Sequence, residues 1–276
     1  MSKLVANKHL KLSEASTKPK KLSAKEIQSR TELAHARLQE LQSKFYADSK
    51  NALVIIFQAM DAAGKDSSIQ HVMSGINPQG CIVTSFKQPS SKELSHDYLW
   101  RAYQSLPAKG MIGIFNRSYY EDVLVVRVHP ELLAKQRIVA SEKLWDQRFK
   151  QIRNFEEHLH ENGTHIIKFF LHLSKKEQKN RFISRMEEPQ KNWKFSAADL
   201  AEREFWDDYQ AAYQDALRHT STDHTPWYVI PADDKPQARM LIAELIAEKL
   251  KSLHPQYPIP TPEQKKALAA AKKQLI

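Results

Sequence analysis

Asp61 and Lys65 bracket a run of small residues, Met60-Asp61-Ala62-Ala63-Gly64-Lys65. A carboxylate that can hold a metal and a cation that can meet a phosphate thus share one short segment. The residues before it, Leu53–Phe57, are uncharged and rich in β-branched types, the pattern of a strand buried on both faces. Those after it, Ser67–Ser74, place Ile69, Val72 and Met73 at helical spacing. Strand, small-residue loop, lysine and helix is the layout of a phosphate-binding loop. The backbone N–H groups from Ala62 through Asp66 would face an anion there, and Lys65 would add a point charge. The match to G-x-x-x-x-G-K-Ser/Thr departs at Ala59, in place of the first glycine, and at Asp66, in place of the hydroxyl. Alanine suits that place only at negative φ. The competing reading is a tight strand-to-helix turn with an exposed lysine.

A second set of candidates follows the apolar run Met111–Phe115, which reads as another buried strand. Enzymes with such loops commonly end this strand in an acid that holds Mg²⁺ directly or through water. Here the strand-end residue is Asn116, a neutral ligand or hydrogen-bond partner. Arg117 beside it could clamp a phosphate with two parallel bonds. Glu121 and Asp122 follow within one helical turn. Arg127 is embedded in the apolar segment Val123–Pro130, either as a cation at the edge of the core or as an anion ligand. Lys87 lies in the loop after a strand at Cys81–Phe86, and Asp233 and Asp234 follow one at Trp227–Pro231. Arg181 and Arg185 are four apart on a helix capped by Ser174 and Glu177, so they share a face. That face is either solvated or part of a lid that grips phosphate. Glu187–Ser196, with Lys191, breaks the helix as a lid tip or a nucleotide-side loop would.

The strand at His165–Leu173 completes a set of five, and helical segments alternate with them. The helices are expected from Ser23 to about Tyr46 and over Glu93–Ser105, Ser141–Glu161, Ala197–Leu217 and Pro236–Leu253. The fold class is therefore α/β, a parallel sheet of about five strands with helices on both faces. Ligands of such sheets lie beyond the carboxyl ends of the strands, where Asp61–Lys65, Lys87, Asn116-Arg117 and Asp233-Asp234 all fall. The chain divides into a basic, flexible arm at 1–22 that includes Lys3, a main domain at 23–253 with a lid at about 175–200, and a tail at 254–276.

The formal net charge of +10 points to a polyanionic partner without choosing one. No cysteine–histidine cluster has zinc-finger spacing, and no aromatic-rich RNA-recognition pattern is present. The single Cys81 excludes an internal disulfide and suits a reducing compartment. No apolar stretch is long enough to span a membrane, so a cytoplasmic protein is expected.

The runs MDAAGKDSSIQHVMSGINPQGC, FKQPS, IGIFNRSYYEDVLVVRVHP and RFISRMEEPQKNWKFS make the chain resemble the polyphosphate kinase 2 family from about Ala24 to Leu253. The form FNRSYYEDVLVVRVHP is most similar to the subgroup acting on both AMP and ADP. The resemblance implies a P-loop kinase-like three-layer sandwich with a helical lid. It also implies reversible phosphoryl transfer between inorganic polyphosphate and adenine, or also guanine, nucleotides, with Mg²⁺, or Mn²⁺ in its place. By resemblance, Asp61 would help hold the metal and orient the acceptor, and Lys65 would neutralise the transferring group. Arg117 would clamp donor and acceptor phosphates, and Arg181 would close over them from the lid. Lys87 and Arg127 would line a channel for polyphosphate. Asn116, Glu121, Arg185 and Lys191 would stand on the nucleotide side or the lid. Many members carry Asp where this chain has Asn116, so Asn116, Glu121 and Asp122 are the alternatives for further metal contact. Neither membrane nor nucleic acid is expected as a partner, and a homodimer or homotetramer is. Two other functions remain open: an ATP-dependent nucleoside monophosphate kinase, and a non-catalytic polyanion-binding protein with a degenerate loop.

Overall fold

The computed structural model describes residues 4–275 and holds one five-stranded, wholly parallel sheet in the order β2-β3-β1-β4-β5. The chain opens with helix α1 (Ala24–Asp48), where the Ser23 hydroxyl accepts from the Glu26 N–H. Strand β1 (Ala52–Ala59) is buried at every position. Its side chains alternate between two cores, with Leu53, Ile55 and Phe57 on one face and Val54 and Ile56 on the other. This two-sided burial is why the strand reads as a continuous apolar run.

Helix α2 (Lys65–Val72) begins directly at the lysine. Strand β2 (Cys81–Ser85) forms one edge of the sheet, and Cys81 is half-buried there, with burial pushing its thiol up to about 11. The helix expected over Glu93–Ser105 is instead two short ones, α3 (Ser91–Leu94) and α4 (Trp100–Gln104). A capping box between Ser90 and Glu93 starts the first, and the Asp97 carboxylate accepts from the Leu99 N–H between them. Strand β3 (Ile112–Asn116) pairs with β1, setting Phe57 opposite Asn116. Residues Tyr119–Val123 form a 3-10 turn, followed by α5 (Val125–Val128) and α6 (Leu132–Lys135).

Helix α7 (Leu144–Glu161) leads to β4 (Thr164–His172), which flanks β1 on its other side. Helix α8 (Lys175–Glu187), the 3-10 turn Pro189–Lys194 and α9 (Ala197–Glu202) make up the expected lid region. The single helix expected over Ala197–Leu217 is broken by a 3-10 turn at Arg203–Phe205, after which α10 (Trp206–Thr220) runs on. Strand β5 (Trp227–Pro231), α11 (Lys235–Ser252) and the exposed α12 (Pro262–Leu275) complete the chain. Residues of α1, α2 and α11 fill one core, and residues of α4, α7 and α10 the other.

The amino-terminal segment is packed rather than free from Leu4 onward; Lys3 lies outside the described residues. Val5 bridges Tyr228 at the β5 edge, and Ala6 and Leu12 are buried. The Asp233 N–H donates to the Thr17 carbonyl at 3.0 Å, so the segment reaches the carboxyl ends of the strands. Apolar residues between the lysines supply the anchors.

Candidate active site

The loop between β1 and α2 turns through two left-handed residues, Ala62 at φ 60° and Gly64 at φ 95°. Ala59 does not need a glycine's freedom, because it closes strand β1. Ala62 carries the unfavourable conformation instead, at a cost of about 1 kcal/mol. The Lys65 ammonium donates to the Ala59 carbonyl at 2.8 Å, arching back across the loop. Burial, then the neighbouring Arg117, push the Lys65 pKa below its ordinary value, while Asp61 pulls it up.

The β1–β3 pairing brings the second candidate segment alongside. Arg117 takes a left-handed φ of 63° and donates its N–H to the Phe57 carbonyl at 3.0 Å, extending the ladder by one bond. Its guanidinium lies 3.2 Å from Asp61 and 3.8 Å from Glu121. Burial would lower the Arg117 pKa; Glu121 and then Asp61 outweigh it and hold it above the ordinary value. Burial raises the Glu121 carboxyl, with Arg117 and Lys65 opposing. Two cations and two carboxylates thus converge at the carboxyl ends of neighbouring strands. Tyr209 and Tyr213 of α10 stand close to Asp61 and Glu121; burial, reinforced by nearby acids, raises their hydroxyl pKa values.

Asn116 and Asp66 explain one another. The Asn116 amide donates to the Asp66 carboxylate at 2.6 Å, joining the end of β3 to the first turn of α2. Relative to the usual loop the acid and its neutral partner have changed places: the carboxylate sits after the lysine, and the neutral group ends the strand. Asp66 itself is therefore an acceptor turned towards Asn116, and only its backbone N–H suits an anion.

The other expected residues are placed differently from one another. Arg181 is 6% exposed, and its guanidinium is spent on backbone carbonyls, Ala63 at 2.7 Å and Ala232 at 2.6 Å. It braces the loop from behind instead of standing free above a ligand. Asp122 is 2% exposed and receives the Gln136 amide at 2.5 Å with Arg148 nearby, which withdraws it from metal binding. Arg127 is held by Asp215 of α10 at 2.6 Å. Arg185 pairs with Asp199 at 3.2 Å and Lys191 with Glu188 at 2.6 Å, both within the lid region. Lys87 is exposed at a cavity of about 390 Å³ beside the loop, which Arg101, Arg117 and Lys135 also line. Arg101 is buried and donates to the Lys87 carbonyl at 2.8 Å, bracing that loop; neither it nor Lys135 was singled out from sequence, because nothing in their local pattern distinguishes them from other cations.

Among the described residues no three His, Cys, Asp or Glu side chains cluster as a ready-made metal cage. Asp61, part-exposed and close to Lys65, suits a cation that takes one or two protein carboxylates and completes its shell with water and substrate phosphate.

The profile of the polyphosphate kinase 2 family matches residues 21–258. The chain belongs to that family. Among polyphosphate kinase 2 relatives, the chain is 55% identical over 244 residues to the ADP-polyphosphate phosphotransferase of Rhodopseudomonas palustris, covering 87% of this chain and 84% of that one. It is 46% identical over 224 residues to the AMP/ADP-polyphosphate phosphotransferase of Meiothermus ruber, with 81% of each chain covered. The crystal structure of polyphosphate kinase 2 from Arthrobacter aurescens TC1 superposes with a TM-score of 0.88 at 39% identity, over 97% of this chain and 95% of that one. The fold of this polyphosphate kinase 2 member is thus the α/β sandwich expected from its sequence. No helix among the described residues is long and apolar enough to cross a membrane.

Proposed function

We propose that this polyphosphate kinase 2 member transfers a phosphoryl group from inorganic polyphosphate to AMP, ADP or both at the Asp61–Lys65–Arg117 site. The observation that carries the reading is the convergence of Lys65 and Arg117 on Asp61, with Arg117 also lining a cavity whose rim bears Lys87 and Lys135. An oxygen of the acceptor's terminal phosphate forms a new bond to the terminal phosphorus of polyphosphate, and the bond from that donor phosphorus to its bridging oxygen breaks, the oxygen leaving with the shortened chain. Donor and product both hold phosphoanhydride bonds, so the transfer runs in either direction. Such a reaction needs alignment and charge neutralisation more than covalent help. Lys65 and Arg117 offset charge on the moving group, and the cationic rim holds the chain. Asp61 orients the acceptor and would hold Mg²⁺, which would supply further neutralisation of phosphate charge. Nucleotide acceptors and the unpaired Cys81 favour the cytoplasm.

The test is a donor and acceptor matrix. With Mg²⁺, polyphosphate and either ADP or AMP, the protein should form ATP or ADP; GDP and GMP test the base. Productive transfer from ATP to AMP with polyphosphate acting only as an inhibitor would overturn the donor assignment. ADP is the acceptor to try first, since the relative named for ADP shares more identity than the one named for both nucleotides. Lys65→Met should lower kcat by at least about 10²-fold while the protein stays folded; near-normal kcat would overturn the placement of the site.

A further inference from the structure

The loop that carries Asp61 is held from behind by one face of α8, and Arg181 is only half of that grip. Gln178, one turn earlier on the same face, is 1% exposed. Its amide nitrogen donates to the Asp61 carbonyl at 3.0 Å. Its amide oxygen receives the Arg203 guanidinium at 2.6 Å, and Arg203 also reaches the Lys175 carbonyl at 3.0 Å. A carbonyl needs a donor and a guanidinium needs an acceptor, so the two partners fix which way round the amide stands.

These bonds determine where the loop points its donors. In a trans peptide the C=O of one residue and the N–H of the next lie on opposite sides. With the Asp61 and Ala63 carbonyls turned towards Gln178 and Arg181, the N–H groups of Ala62 and Gly64 turn the other way, out of α8. Arg203 belongs to the 3-10 turn where the chain returns from the lid region to α10. The orientation of the peptide after Asp61 is therefore tied, through one amide, to whether that returning segment is docked.

We propose that Gln178 is a positioning residue for Asp61, and that Arg203 makes its hold conditional on docking of the lid's return segment. Gln178 touches no substrate; it acts by fixing the Asp61–Ala62 peptide and hence the carboxylate attached to it. If the segment lifts, the buried amide oxygen loses its donor and the side chain reorients to recover one. The loop is then aligned only when the lid region is seated over the site. The inference rests on the reading of Asp61 as the carboxylate at the reaction centre.

The experiment compares the full-length protein with Gln178→Glu, Arg203→Met and the double variant, with ADP, polyphosphate and Mg²⁺. Glutamate still accepts from Arg203 but sets a carboxylate against the Asp61 carbonyl, so it isolates the loop arm. The expected result is a kcat about tenfold lower with KM for ADP within about twofold of the wild type, because alignment is lost and binding is not. Arg203→Met should lower kcat by about three- to fivefold, and the double variant should be no slower than Gln178→Glu alone. Melting curves report the folded fraction, against which kcat is normalised. Gln178→Met, uncharged and of similar size, is the second variant should Gln178→Glu fold poorly, and the same loss is expected of it. A normalised kcat within twofold of wild type in the Gln178 variant, or effects of the two sites that multiply, would overturn the proposal. Asp61→Asn run in parallel separates the two readings: an active Asp61→Asn sinks the assignment of Asp61 itself, whereas an inactive one beside a fully active Gln178 variant sinks only the relay.

Discussion

Asn116→Asp would place at the end of the strand the acid that enzymes with phosphate-binding loops commonly carry there, and here it should do harm. In the native chain the Asn116 amide donates to Asp66 at 2.6 Å. Aspartate removes the only donor in that pair and sets two carboxylates about 3 Å apart. At an effective dielectric constant of about 40–80, suited to this exposed pair, their repulsion amounts to about 1.5–3 kcal/mol. The lost charge-assisted bond adds about 1 kcal/mol. The penalty appears as a raised carboxyl pKa in the new pair. Stability at pH 7 should fall by about 2.5–4 kcal/mol, or roughly 5–12 °C in Tm for a chain of this size. The sign follows from linkage: the folded state binds the extra proton more tightly than the unfolded chain, so the deficit shrinks as pH drops towards 4. The assay is urea unfolding at pH 7 and pH 4.5 of Asn116→Asp, Asp66→Asn and the double exchange. The double exchange restores one donor and one acceptor and should recover most of the loss. Asn116→Asp as stable as wild type at pH 7, or a double exchange no better than the single one, would refute the reasoning.

The buried network around Lys168 yields a second prediction. Lys168 is wholly buried and meets Glu156, the Tyr120 hydroxyl at 3.1 Å and the Thr220 carbonyl at 2.8 Å. Lys168→Met strands the Glu156 carboxylate and should cost about 3–5 kcal/mol in urea unfolding, while Lys168→Met with Glu156→Leu should recover part of it. His165 gives a pH prediction. Burial, then Lys249 and His160, push it down from 6.5 to about 4. Above 6.5 both states are neutral there; below it the unfolded chain takes a proton that the folded one refuses until about pH 4. Stability is therefore lost as pH falls from 6.5 to about 4, and since the ring is part-exposed the loss is about 1–2 kcal/mol. His165→Gln should flatten that limb in unfolding measured across the range; an unchanged limb would count against it.

The sequence by itself determined the strands, most of the helices and the loop between β1 and α2. These are written in local periodicity: a strand buried on both faces must be apolar throughout, and a loop that hugs an anion must be small. It also placed Asn116 and Arg117 at the end of a strand, directly after an apolar run, and Asp61 and Lys65 in the loop that follows another. What it could not decide is which partner each side chain meets. Asn116 and Asp66 are fifty residues apart in the chain and touch only because β3 pairs with β1. Arg181 and Arg185 are equivalent by spacing, yet one is buried against the loop carbonyls and the other pairs with Asp199. The breaks inside 93–105 and 197–217 follow from Asp97 and from the turn at Arg203, where packing and side-chain caps override a helical period. Helical spacing says which residues share a face; only the order of the strands and the packing of α8 on the loop decide what that face meets.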